Sequence, residues 1–377
     1  MTQRVNSELY LLDKVSPLFP LARLTGVLPY SDELNFSEKW FKYSLLSITT
    51  IVASVNAFRA VYLIYSSNNF LNEGFNTILY IFQSSLNDIC LITHLIQLIF
   101  RRNILKKVFK QLKSFDTIWS TYTSVFSKKL TGFGLLWVAL SQAAILITDS
   151  TTYEKLVRVT YSTTYITFYT IVMTFCCLLE LVRNHFITLT KEIKPIDTQL
   201  HRQISMHYSL IQLAYNINKL FSLQLLITCM RCSINFICQM FFFLQFLRNN
   251  DWAVDMVLAL TFLIGDCIME LIILFCIAAS CSETSAKDSP QISQIKGKIN
   301  HRTLSFQNGL QLYVTLNKSI EFSASGFFSI GYPLVTSVLA AATTYLVILV
   351  QFSMVPDSSK KFNQTAEVLI PKLNYTN

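Results

Sequence analysis

Arg231, Glu270 and Asp266 stand in stretches that are otherwise almost wholly apolar, where an ionisable side chain pairs with another, lines a wet cavity or reaches for a polar boundary. Arg231 falls in the run 222–247, and Asp266 and Glu270 in the run 253–280. If consecutive runs are helices of opposite direction, Arg231 and Glu270 reach similar depths at about 1.5 Å per residue, which predicts an ion pair. Asp266 lies one turn from Glu270 on the same face, so it either shares Arg231 or lines a cavity. Arg59 lies near the end of its own run, where a long stem snorkels. Asp88 and His94 share the run 76–100, and Tyr161, Tyr165 and Tyr169 recur every four residues. An aromatic stripe with hydroxyl tips suits stacking and hydrogen bonding to a small molecule, and helix packing produces the same pattern. These residues are the candidate ligand contacts.

Catalytic chemistry finds little support. The chain has no Gly-rich phosphate loop, no nucleophile with a base at a recognisable spacing and no His/Cys metal cluster, so neither cofactor nor metal is expected. Cys229 and Cys232 mimic a redox or zinc spacing, but eight of the nine cysteines fall within apolar runs and Cys281 at the edge of one, as packing residues do. A net charge of +9 comes without a basic-aromatic nucleic-acid motif, and the charge sits between apolar runs, as at a membrane surface.

With 52% hydrophobic and 14% charged residues in 377, the chain is too apolar for a soluble core. Seven runs are long enough to cross a hydrocarbon layer about 30 Å thick: 41–64, 76–100, 131–149, 163–186, 222–247, 253–280 and 330–354. The reading is an all-α membrane protein of one bundle. Nothing in the first forty residues resembles a removable signal, so the first span is expected to direct insertion. Lys and Arg concentrate in 1–40, 101–130, 187–221 and 281–329 and are sparse in the segments between, which predicts a cytoplasmic N-terminus and an extracellular C-terminus. That orientation is the reverse of a receptor coupled to G proteins. It leaves the tail sequons Asn363 and Asn374 eligible for glycosylation, and Asn35 and Asn317 not. Trp252 is expected as an interfacial anchor.

The basic segments are long, and in 301–322 Leu310, Tyr313, Leu316 and Ile320 form an amphipathic helical stripe. Helical extensions below the bilayer are therefore expected to form a cytoplasmic assembly domain. The organisation predicted is a cytoplasmic segment 1–40, a six-helix ligand-binding bundle 41–280, an assembly segment 281–329, a seventh helix 330–354 and an extracellular tail 355–377. In SGFFSIGYPLV, Gly326, Gly331 and Pro333 break the amphipathic helix from the seventh span, where Ser337, Ala340, Ala341, Thr343 and Thr344 allow close approach and a wet surface.

The stretch EFSASGFFSIGYPLVTSVLAAATTYLVILVQF, residues 321–352, resembles the signature region of insect gustatory receptors, whose hallmark is Thr-Tyr, five mainly apolar residues and Gln-Phe. Thr344, Tyr345, Gln351 and Phe352 match each position. The resemblance implies a tetrameric ligand-gated non-selective cation channel in the plasma membrane of chemosensory neurons, homomeric or mixed with other gustatory receptors. Four copies of the last helix would surround one pore, and the other helices of each subunit would form a ligand pocket. Gln351 and Phe352 then make a collar at the pore mouth that dewets when closed, and Tyr345 packs against a neighbouring helix. The sugar-sensing branch carries an acidic residue after Thr-Tyr where this chain has Leu346, so the resemblance points to non-volatile bitter compounds or contact pheromones governing acceptance or avoidance. An odorant-receptor-like channel subunit is the nearest alternative. A transporter or scaffold is the alternative of another class, although the odd helix count and lack of an inverted repeat fit the common transporter plans poorly.

Overall fold

The computed structural model describes residues 74–116, 132–134, 136, 137, 140, 152–191, 197–248, 254–299 and 320–354. The expected span 41–64 with Arg59, the anchor Trp252, the sequons Asn363 and Asn374, and Leu310, Tyr313 and Leu316 lie outside them. The described elements are helices α1 (Gly74–Phe100), α2 (Arg102–Asp116), α3 (Thr152–Lys191), α4 (Asp197–Arg248) and α5 (Val254–Ile299), strands β1 (Ser323–Ala324) and β2 (Phe328–Ser329), and helix α6 (Tyr332–Met354). Four of these helices are long and apolar enough to cross a membrane, over Tyr165–Leu189, Ser205–Gln245, Leu263–Lys287 and Tyr332–Gln351.

Helices α3, α4 and α5 pack on one another, and α1 packs across α3 and α4. At 40, 52 and 46 residues these three are about 60–80 Å long, roughly twice the hydrocarbon thickness, so each continues well past one membrane face. Their shared core includes Phe175, Leu178 and Val182 of α3, Leu213 and Ile217 of α4, and Ile273 and Ile277 of α5, all buried. Phe175 and Phe221 meet at 5.5 Å between ring centroids. Inside the bilayer such packing is held by close fit and interhelical hydrogen bonds, since lipid tails are as apolar as leucine. Hydroxyls on α3 are satisfied locally: Thr170 and Thr174 donate to the carbonyls of Ile166 and Thr170, both at 2.7 Å. All nine cysteines are buried and free of disulfides.

Helix α2 continues α1 with little interruption, because Arg101 N–H reaches the Gln97 carbonyl at 2.9 Å and Leu105 N–H the Arg101 carbonyl at 3.1 Å. Its apolar face, Leu105, Val108, Leu112 and Phe115, is buried, while Asn103, Lys107 and Lys110 stay exposed. Arg101 ties the junction to α4 by donating to the carbonyls of Lys219 and Leu220.

The break before the last helix is a built structure. Strands β1 and β2 pair antiparallel, Ser323 with Ser329 and Ala324 with Phe328. The turn between them closes with Phe327 N–H on the Ala324 carbonyl at 3.0 Å. Ser325 and Gly326 both have positive φ, 52° and 81°, as a type I′ turn requires, which is where Gly326 is needed. The hairpin is pinned to α5: Ser285 donates to the Ile320 carbonyl at 2.6 Å, and Tyr332 N–H donates to the Ser282 hydroxyl at 3.1 Å. A Cβ on Gly331 would lie 3.0 Å from that hydroxyl, so glycine permits the approach. The helical stripe expected over 301–322 does not extend to its end, because residues 320–322 are not helical and lead into β1. Pro333 sits in the first turn of α6, where its missing N–H breaks no helical bond.

Helix α6 contacts α4 and α5 along one face, Leu334, Val338, Ala342 and Leu346, and is otherwise uncovered. Only 6% of its spanning stretch is buried, against 89% for α3. Tyr345 is 57% exposed, so the neighbour expected for it does not come from the described part of this chain.

Candidate functional site

Four helices converge on Arg231. Its guanidinium grips Glu270 of α5 through two parallel bonds, Nη2 to Oε1 and Nη1 to Oε2, each 3.1 Å. Both side chains are 1% exposed. The third arm, Nε, donates to Asn87 Oδ1 of α1, and Asn235, one turn further along α4, donates to Glu270 Oε1 at 3.2 Å. From α3, the Phe168 ring lies 3.9 Å from the guanidinium carbon and the Tyr165 ring 5.4 Å. Burying a charge pair is tolerable only when the remaining donors and acceptors are also satisfied, and here two amides and two aromatic faces do that.

Asp266 does not join this pair. Its Oδ1 accepts from Trp137 Nε1 at 3.1 Å, while the planar fork of Arg231 is already filled by Glu270. An indole N–H inside a bundle needs an acceptor, and Asp266, about 6 Å along α5 from Glu270, supplies it. Two glycines make room. An added Cβ on Gly265 would lie 1.8 Å from the Trp137 ring, and one on Gly134 would lie 2.1 Å from the Tyr169 ring. Gly265→Ala is therefore expected to lose about 1–3 kcal/mol through overpacking, seen as a lower melting temperature of the purified protein. An unchanged melting temperature would mean that the indole moves aside freely.

Tyr165 and Tyr169 are buried in the bundle, the first against Arg231 and the second against Gly134. Tyr161 is helical, and its side chain lies outside the described ones. His94 lies two turns from Asn87 on the same face of α1, whereas Asp88 is turned about 100° from Asn87; both are buried. Asn87, Asn235, Phe168 and Trp137 escaped sequence reasoning. Asn235 and Phe168 carried a usable signal, at four residues from Arg231 and three from Tyr165, whereas Trp137 carried none. Among the described residues no group of three or more His, Cys, Asp or Glu could hold a metal.

Gln351, Thr344 and Tyr345 are all exposed on α6, far in sequence from this cluster; Phe352 is helical, with its side chain outside the described ones. Ser337, Ala341, Thr344, Ile348 and Gln351 recur at four and three residues and make one exposed stripe. The Ser337 and Thr344 hydroxyls donate to the Pro333 and Ala340 carbonyls, at 2.9 and 3.1 Å.

The polar junction is thus buried among α1, α3, α4 and α5, and α6 lies bare beside them. The family model described as 7tm Chemosensory receptor matches residues 15–356. The chain belongs to that family. That makes it a chemosensory receptor with membrane-length apolar helices, a family of receptors rather than enzymes. Gustatory receptor 68a of Drosophila melanogaster is 34% identical over 91 residues, covering 24% of this chain and 23% of that protein. Gustatory and pheromone receptor 32a of the same species is 30% identical over 92 residues, covering 24% and 20%. These matches thus span only about a quarter of the relatives' length or less. The insect olfactory receptor OR5 from Machilis hrabei has the same fold, with a TM-score of 0.60 at 13% identity, covering 90% of this chain and 100% of that one. The structure of that receptor in complex with eugenol aligns with a TM-score of 0.55 at 13% identity, covering 89% and 97%.

Proposed function

We infer that this chain is a subunit of a ligand-gated, non-selective cation channel that detects non-volatile chemicals on contact. The observation that carries the reading is α6, a membrane-length helix left almost bare by the described part of its chain, with small and hydroxylated residues leading to Gln351. Other copies cover such a surface more favourably than lipid does, since small residues allow close helix contact. Four copies around an axis, in a homomer or with other gustatory receptors, would make a pore from residues 330–354. The segment 281–329 then serves assembly, and the N-terminus faces the cytoplasm.

The ligand pocket in this reading is the bundle around Arg231, bounded by Tyr165, Tyr169, Asp88 and His94. Binding opens the pore only through higher affinity for the open state, and α5 links the two regions, carrying Glu270 at one level and Ser282 and Ser285 under the hairpin at another. The eugenol complex of the olfactory receptor and the pheromone receptor relative are consistent with small organic agonists, bitter compounds or contact pheromones among them. The test is whole-cell recording from a heterologous cell expressing the chain with a C-terminal tag, during application of bitter compounds, sugars and cuticular hydrocarbons. An evoked cation current with an externally labelled tag supports the reading. An internal tag refutes the orientation, and a surface-labelled receptor that stays silent even when co-expressed with other gustatory receptors refutes the channel.

Tyr165→Ala is expected to shift agonist potency several-fold while leaving maximal current near normal, as full dose–response curves would reveal. Superimposable curves would remove Tyr165 from the ligand contacts.

A further inference from the structure

The faces that α1 and α4 turn toward each other are polar over much of their shared length. On α1 the stripe is Asn87, His94 and Gln97; on α4 it is Gln224, Thr228 and Asn235. Each is more than nine-tenths buried, and each keeps one polar atom without a hydrogen-bond partner: Asn87 Nδ2, His94 Nε2, Gln97 Nε2, Gln224 Oε1, Thr228 Oγ1 and Asn235 Oδ1. Bonds that cross this seam among the described residues include those from Arg231 Nε to Asn87 Oδ1 and from Gln224 Nε2 to the Cys90 carbonyl at 3.5 Å. An unpaired buried polar atom costs about 1–3 kcal/mol, and lipid around the bundle offers no substitute partner. Thr228 makes the point locally. The hydroxyls of Thr170, Thr174, Ser233 and Thr284 all fold back onto the carbonyl four residues earlier, and that of Thr228 does not.

The amide orientations are fixed by the bonds already made. Asn87 accepts from Arg231, which leaves its NH2 free; Asn235 donates to Glu270 and Gln224 to Cys90, which leaves their oxygens free. Asn87 on α1 thus offers a donor and Asn235 and Gln224 on α4 offer acceptors, while the Thr228 hydroxyl can do either. A hydroxyl group both accepts and donates, so one hydroxyl bridges the two walls, and several in one molecule engage several of the free atoms. A saturated hydrocarbon would leave every one of them unpaired. Arg231 and Glu270 already neutralise each other at this seam, so an ionic ligand would bring in a charge without a partner.

We propose that the α1–α4 seam binds a neutral solute carrying several hydroxyl or carbonyl groups, and that it selects against hydrocarbons. The proposal rests on the receptor reading above and narrows its ligand class. The polar groups are kept for binding, at the expense of stability.

The test uses the purified full-length receptor in lipid nanodiscs, with resorcinol and m-xylene as probes, the same ring bearing two hydroxyls or two methyls. Resorcinol at millimolar concentration is expected to raise the melting temperature by a few degrees, and m-xylene is not. The double variant Thr228→Val with Gln224→Leu is expected to melt higher than the wild type without ligand, because two unpaired atoms are gone against the loss of one long bond, Gln224 to the Cys90 carbonyl at 3.5 Å, and to lose the resorcinol shift. A variant that melts lower, an equal or larger shift with m-xylene, or no shift with either probe overturns the proposal. Failure of the channel reading looks different: resorcinol binds and is lost in the variant, yet no cell expressing the receptor conducts. A current evoked by hydrocarbons alone would do the reverse, keeping the channel and removing this ligand class.

Discussion

Glu270→Ala is expected to leave little folded receptor at the cell surface. Arg231 is 1% exposed, and without the carboxylate it loses the partner that fills its fork, while the neutral contacts with the Asn87 oxygen and two aromatic faces remain. Removing one member of a buried pair costs about 3–5 kcal/mol, because the survivor is a desolvated charge. Against a total stability of about 5–15 kcal/mol, that is enough to cut steady-state abundance many-fold. The double variant Arg231→Met with Glu270→Met is expected to recover much of the loss, since no orphan charge remains and two flexible apolar chains fill similar volume. A charge swap is expected to rescue less, because Asn87, Asn235 and Phe168 are arranged for a cation on α4 and an anion on α5. Surface biotinylation and thermal unfolding of Arg231→Met, Glu270→Met and the double variant give the coupling directly. A Glu270→Ala receptor as abundant as wild type, or a double variant as poor as its worse single parent, would show that the pair does not hold these helices together.

The pairing was legible because membrane thickness fixes where apolar helices begin and end, and antiparallel neighbours then place Arg231 and Glu270 at one depth. Asp266 was ambiguous for the same reason: one turn of separation is too coarse to tell a shared guanidinium from a separate indole, and nothing local to Trp137 announces that it reaches α5 over Gly265. Neutral amides were harder still. Asn87, Asn235 and Gln224 carry no charge that calls for a counter-ion, yet they complete the ion pair and polarise the α1–α4 seam. Before the last helix, Gly326, Gly331 and Pro333 signalled a break without saying what filled it. Ser325 taking a positive φ beside Gly326 turned that break into a hairpin, and the two α5 hydroxyls that hold it are ordinary serines in sequence. The long cores of α3, α4 and α5 were legible as helical and apolar; their continuation as one packed unit past the membrane length depends on contacts between segments far apart in the chain.

Gln351→Ala is expected to raise basal current several-fold or to alter relative cation permeability, with surface expression preserved. Within its own subunit Gln351 is exposed, at the end of α6 opposite the hairpin, so truncating it removes no described packing contact and gives no reason for misfolding. Its stripe-mates Ser337 and Thr344 bond to their own helix backbone, which leaves Gln351 as the polar group of the stripe best able to meet an ion or a copy of itself. In a fourfold arrangement four amides close to the axis would hold one another or replace part of an ion's hydration shell, and alanine does neither. Gln351→Glu separates the two roles: a ring of carboxylates repels itself, favours the open state and attracts divalent cations, so leak and divalent permeability are both expected to increase. Reversal potentials under bi-ionic conditions, measured alongside surface labelling, check both variants. If both assemble normally and conduct as the wild type does, the exposed stripe on α6 is not the pore lining, and that helix is bare for another reason, such as packing against a neighbour through Tyr345.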